Sequence, residues 1–180
     1  MTQPSSPGAK RRASVRLAAT LIAFPAVIAS AQTPPAPSAP PPACQTVEYR
    51  QFDFWIGTWD VFQPNGQKAG ENRIEPISGG CALLENWSGR GGFTGKSLNI
   101  YDSTDKRWHQ TWVDSSGALL VIAGNLVDKR MVLGSQAGDA HQRITWTPND
   151  DGSVRQFWES SADGGKTWTV LFDGKYVRRQ

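Results

Sequence analysis

The 180-residue chain carries 19 basic and 16 acidic side chains, but the excess of positive charge is confined to its first segment. Residues 1–31 hold four of the basic residues and none of the acidic ones, so the remaining 149 residues carry 15 basic and 16 acidic groups and a net charge near −1. That balance excludes a polybasic nucleic-acid footprint, and the length excludes a multi-blade propeller.

The N-terminus reads as a secretory leader. Lys10, Arg11, Arg12 and Arg16 precede an apolar run from Leu17 to Ala29, and Ala29-Ser30-Ala31 supplies the small residues of a cleavage site. The run is too short to span a bilayer and is interrupted by Pro25, so the expectation is cleavage after Ala31, with no stable membrane span afterwards. Arg11-Arg12 is also compatible with twin-arginine export, and ordinary leader charge explains it equally well. Export implies a periplasmic or secreted protein.

Residues 32–43 follow as a proline-rich spacer biased toward extended polyproline II. Cys44 lies too far past the apolar run to close a lipid-attachment site. Cys44 and Cys81 are the two cysteines of a chain sent to an oxidising compartment, which makes a disulfide the economical reading. No metal and no cofactor is implied, since two cysteines and two distant histidines do not compose a site.

The domain is expected over 44–180. A short helix over 44–55 precedes ten segments rich in Val, Ile, Thr and aromatics, at 57–63, 71–77, 81–88, 94–102, 107–114, 118–126, 130–135, 142–147, 153–161 and 167–177. Turns such as Pro64-Asn65-Gly66 and Asp150-Asp151-Gly152 separate them. Short, sequentially linked strands without intervening helices favour an all-β, antiparallel up-and-down meander. Closing into a barrel removes its edges and creates a lumen.

Gly57-Thr58-Trp59 on the first strand resembles the G-x-W signature of the calycin superfamily, the lipocalins and fatty-acid-binding proteins. The resemblance implies that Trp59 plugs one end of the barrel, with Arg178 or Arg179 of the last strand laid across its face. The region also resembles exported bacterial proteins of lipocalin-like type through Phe52-Asp53-Phe54-Trp55-Ile56-Gly57-Thr58-Trp59 and Trp108-His109-Gln110-Thr111-Trp112-Val113-Asp114. No second lipocalin motif is present, so the implied class is a calycin-like barrel. Ser161-Ala162-Asp163-Gly164-Gly165-Lys166-Thr167-Trp168 resembles the Asp-box of β-propellers, a hairpin device in which Asp163 ties the turn and Trp168 anchors it. One box in so short a chain marks a hairpin rather than a sialidase.

Candidate ligand-binding residues come from strand alternation, which puts residues two apart on one face. Gln110, Trp112 and Asp114 form one row, Asn99 and Tyr101 another with Ser97, Glu85 and Trp87 a third, and Gln156 and Trp158 a fourth. Facing inward, they would give a lumen aromatic walls and a few polar groups to orient a small ligand. The same rows would equally fill a closed core. His109 falls on the face opposite Gln110, and no nucleophile accompanies either His109 or His141. Glu85 with Glu159, or Glu85 with Asp114, would be the carboxylate pair for glycoside hydrolysis. Eight tryptophans would also suit a carbohydrate-binding module that stacks sugars on exposed indoles. The leading expectation is a binding protein rather than an enzyme, with a partly apolar small molecule as its ligand; the ligand and the oligomeric state are not specified by the residues.

Overall fold

A computed structural model describes residues 43–138 and 140–179. The leader over 1–31, and the proline-rich spacer apart from Ala43, lie outside the described residues. Ten antiparallel strands run in chain order: β1 Gly57–Phe62, β2 Lys68–Ile77, β3 Ala82–Gly89, β4 Thr94–Asp102, β5 Arg107–Asp114, β6 Leu119–Val127, β7 Arg130–Ala137, β8 Ala140–Pro148, β9 Val154–Ser161 and β10 Thr169–Arg178. Each pairs with its sequence neighbours, and β1 pairs with β10, so the meander closes into a barrel consistent with a calycin-like fold. The expected all-β class, strand number and closure all hold. Among the described residues no helix is long and apolar enough to cross a membrane.

The expected N-terminal helix is two 3-10 turns, Val47–Arg50 and Asp53–Trp55. Three residues per turn stack side chains at i and i+3, and Tyr49, Phe52 and Trp55 have that spacing. They form an aromatic cap over one end of the barrel. Phe52 stacks on Trp55 at 4.9 Å between ring centroids and meets Trp108 and Trp146 edge-on at 5.6 and 5.2 Å. Tyr49 meets Tyr101 edge-on at 5.2 Å.

Polar groups anchor the cap without leaving its backbone stranded. Trp108 Nε1 donates to Glu48 O at 3.2 Å, Trp59 Nε1 donates to Trp55 O at 2.9 Å, and the Arg50 guanidinium donates to Gly80 O. The Cys44–Cys81 disulfide ties the segment to the turn before β3. Closing a loop of 37 residues removes about 4 kcal/mol of chain entropy from the unfolded state.

At the seam between β1 and β10, Trp59 and Arg178 are register partners. The Arg178 guanidinium lies 4.2 Å from the Trp59 ring centroid, and its Nη1 donates to Ile56 O at 3.0 Å. Arg178 therefore occupies the cation position, while Arg179 pairs on the outside with Asp60 and Glu71. Gly57 is what makes room. Its φ is +148°, and a Cβ there would lie 2.3 Å from Arg178 Nη1. Gly57→Ala is expected to lower the unfolding free energy by about 2 kcal/mol or more, since it combines backbone strain with loss of the cation–indole contact. Urea unfolding followed by tryptophan fluorescence measures it, and a change below experimental error would remove this account of the seam.

Candidate functional site

The barrel is filled unevenly. Phe52, Trp55, Trp59, Trp108, Trp146, Met131, Leu133 and Ile122 pack solidly at the capped end. Toward the other end a cavity of about 430 Å³ remains, walled by Trp87, Trp112, Trp158, Phe172, Leu120 and Ile144, with Arg90, Phe93, Gln63 and Gln67 at its mouth. Glu85, Gln110, Gln156 and Tyr176 supply its polar surface.

Register explains the grouping. Glu85 on β3 pairs with Ser97 on β4, which pairs with Trp112 on β5; Asn99 pairs with Gln110. Their side chains therefore form two inward tiers across three strands. Gly95, next in the β4 row, lies beneath the Trp112 ring, and a Cβ there would sit 2.1 Å from it. The indole consequently lies against the wall instead of across the lumen.

Glu85 is the centre of a buried hydrogen-bond network. Asn72 Nδ2 donates to its Oε1 at 2.7 Å and Ser97 Oγ donates to its Oε2 at 2.6 Å. The Asn72 amide also donates to the Tyr176 hydroxyl at 3.2 Å, and that hydroxyl donates to Gln156 Oε1. On the far side, Gln110 Nε2 donates to Asn99 Oδ1 at 2.7 Å, and Asn99 Nδ2 donates to Ser97 Oγ at 2.9 Å. Burial pushes the Glu85 carboxyl up to about 7, against the opposing effect of the Ser97 and Asn72 hydrogen bonds. Tyr176 is raised well above the ordinary phenol range, by burial first and then by the neighbouring Glu85 charge.

At the mouth the electrostatics reverse. Asp114 Oδ1 accepts from the Ser116 hydroxyl at 2.6 Å, and its Oδ2 accepts from Trp112 Nε1 at 3.0 Å. These bonds hold its carboxyl down to about 2. The two acids of the cavity are thus separated in character, one neutral or charged near pH 7 and the other a fixed anion. The Trp112 indole is oriented by that anion, and the Trp158 indole by Gln142, to whose Oε1 its Nε1 donates at 2.9 Å.

Of the residues expected to line a lumen, Glu85, Trp87, Gln110, Trp112, Asp114, Gln156 and Trp158 lie on the cavity wall. Asn99 is fully buried behind Gln110 and reaches the cavity only through it. Tyr101 faces inward, but four residues along a strand from Ser97 is about 13 Å, which carries it to the capped end beside Tyr49 and Trp108. Asn72, Tyr176, Phe172 and Arg90 belong to the site and were not among the expected residues. Asn72 and Tyr176 carry a sequence signal, the period-two rows Gly70-Asn72-Ile74 and Tyr176-Arg178. Phe172 continues the same row, Phe172-Gly174-Tyr176-Arg178, and the register shift between Val170 and Phe172 brings Leu171 to the lumen as well.

Of the two carboxylate pairings, Glu85 with Asp114 shares the cavity wall and Glu85 with Glu159 does not; Glu159 lies on β9. It projects on the opposite face of β9 from Trp158 and accepts from Arg143 Nη2 at 3.0 Å. It therefore cannot oppose Glu85 across a bound sugar. The eight tryptophans are buried or half-buried, with none exposed, so they form no outer stacking platform. Trp168 belongs to the hairpin, its Nε1 donating to Gly165 O at 3.0 Å and its ring covered by the Arg143 guanidinium at 4.2 Å. Asp163 accepts from the backbone N–H groups of Lys166 and Thr167 and from the hydroxyls of Ser161 and Thr167.

The histidines lie away from the cavity. His141 sits beside the Gly165 turn. His109 Nε2 is 2.7 Å from Asp105 Oδ2 on the outer surface, and Asp102 completes a group whose ligand-type atoms fall within 4.8 Å. Asp102 and Asp105 already accept from the backbone of their own turn, at Thr104 N and Arg107 N.

Neither protein-family models nor curated proteins give a match to this chain.

The Glu85 environment has a signed consequence for stability. A carboxyl raised on folding binds more protons in the native than in the unfolded state between pH 4.5 and 7, so stability falls as pH rises through that window. Wild-type protein is expected to lose roughly 2–3 kcal/mol between pH 5 and 8.5 from this group, and Glu85→Gln to lose little. Chemical denaturation of both at several pH values measures it; parallel pH curves would show that Glu85 is not the responsible group.

Proposed function

We propose that this chain is an exported binding protein of calycin-like type that holds a small, partly apolar molecule in its lumen. The observation that carries the reading is the unfilled, aromatic-walled cavity with a polar floor, beside a capped end packed solidly with large side chains. A barrel needing only a core would continue that packing across Trp87, Trp112 and Trp158. Instead the Trp112 and Trp158 indoles are fixed by Asp114 and Gln142 as walls.

Export is supported by the leader-like segment 1–31 and by the disulfide between Cys44 and Cys81. On this reading Glu159, which points away from Glu85, and the histidines, which lie outside the cavity, have no catalytic role; Asp114 is engaged by Trp112 and Ser116 as an orienting anion. A sugar ligand would have to enter the lumen, since no tryptophan is exposed.

Titration with environment-sensitive lipophilic dyes tests the reading. A saturable fluorescence increase with one site per chain is expected, and Trp112→Ala and Trp158→Ala should each weaken it roughly 5- to 30-fold through lost aromatic contact. A dye signal that never saturates, or that both variants leave unchanged, would count decisively against a lumenal site.

A further inference from the structure

Glu85 is held by neutral donors alone. Asn72 and Ser97 each give its carboxyl one hydrogen bond, whereas an ionised carboxylate has about four acceptor positions. Among the described residues no Lys, Arg or His forms an ion pair with it, and the causes of its raised pKa include no cationic neighbour.

The rest of the floor is also weighted toward acceptors. Asn72 Oδ1 is buried without a hydrogen-bond partner. Gln110 spends its amide N–H groups on Asn99 and Ser97, which leaves its carbonyl oxygen for the lumen. Tyr176 gives its proton to Gln156. The Gln156 amide nitrogen and the Trp87 indole N–H, which find no partner among the described residues, are set against the Glu85 carboxylate and the Gln110 amide oxygen, with the Asn72 oxygen buried behind them. Above this floor stand the π faces of Trp87, Trp112, Trp158 and Phe172, which attract cations as well as apolar surface.

Deepening the lumenal reading, on which it rests, we propose that the cavity selects a protonated amine on a compact apolar or aromatic body, its ammonium donating to the Glu85 carboxylate and its body held between the tryptophans. An ammonium brings three donors and one positive charge to a floor that offers acceptors and no counter-ion. The fixed anion of Asp114 at the mouth favours entry of a cation, and Arg90 at the rim partly offsets it.

Binding below neutrality carries a proton balance. The groups facing Glu85 are neutral Asn72 from β2, Ser97 from β4 and Gln110 from β5, with Tyr176 from β10 as the one titratable neighbour. Glu85 accordingly gives up its own proton to solvent when the already protonated amine docks, and the amine keeps its proton.

Calorimetric titration of the whole mature protein with 2-phenylethylamine and tryptamine, against 2-phenylethanol and 3-phenylpropionate, tests this. At pH 7.5 the amines are expected to bind at least tenfold more tightly than the alcohol, and the carboxylate not measurably. Glu85→Gln should weaken the amines at least tenfold and the alcohol less than threefold. Wild-type protein at pH 6.5, titrated in two buffers of different ionisation enthalpy, should release a substantial fraction of a proton per amine and none with the alcohol. This last measurement stands even if the variant fails to fold. Equal or tighter binding of the alcohol or the carboxylate overturns the proposal, as does amine binding without proton release or with undiminished affinity in Glu85→Gln. Absence of amine binding while lipophilic dyes still saturate overturns the amine proposal alone; absence of both removes the lumenal site with it.

Discussion

The structure depends on closure at the seam where the first and last strands meet. Trp59 and Arg178 sit opposite one another there, and the guanidinium has two partners at once, the indole face and the carbonyl of Ile56. That carbonyl belongs to the cap, so a single side chain joins the two edge strands and fixes the segment that stoppers the barrel. With the seam open, β1 and β10 would each present an unpaired edge. Closed, they give every strand two neighbours and force the lumen to have two unlike ends. One end receives Phe52 and Trp55 from the cap; the other, among the described residues, has only Arg90, Phe93, Gln63 and Gln67 at its mouth.

That asymmetry explains how an acid survives in the interior. In the packed half, a carboxyl would meet only hydrocarbon and indole, and ionisation would be prohibitive. Glu85 stands at the boundary, where Asn72 and Ser97 reach it from flanking strands and the cavity opens on its remaining side. Two neutral hydrogen bonds recover part of its hydration but supply no opposite charge, and its titration moves to about 7. A carboxyl poised there costs the fold stability at alkaline pH. Folding alone has no use for it, since a glutamine or an apolar residue would serve a core better, and local departures of this kind are where function is expected.

Much of this was legible in the sequence, for identifiable reasons. Strand number and order followed from period-two patterning and turn residues, because each strand pairs with its sequence neighbours and no long-range register had to be guessed. Trp87, Gln110, Trp112, Gln156 and Trp158 share the cavity wall because alternation survives intact along β3, β5 and β9. Alternation says which face a residue takes and nothing about height along the barrel, so Tyr101 was grouped with the lumen when it belongs beneath the cap. Glu159 shares a strand with inward-facing Trp158 and is odd to it, so alternation alone places it on the face away from Glu85. Phe172 shares the row of Tyr176 and Arg178, whereas Leu171 has no periodic signal because the register of β10 shifts there. Arg90 and Phe93 come from a glycine-rich connection whose path no periodicity constrains.

The volume of the cavity is set by what the strands omit as much as by what they carry. Trp112 is long enough to cross a small lumen, and it does so or not according to the residue beneath it. Gly95 lets the ring settle onto the β4 backbone, and the Asp114 carboxylate then holds the indole nitrogen at the mouth. A methyl group at 95 would have to push the ring inward, toward the volume in front of Glu85. The depth at which a ligand reaches the acid is therefore governed by a missing side chain one strand away, and the mouth anion that orients the ring also tunes the charge of what enters. Wall, floor and entrance are three consequences of one alternating row, Gln110, Trp112 and Asp114, read against its neighbours on β4.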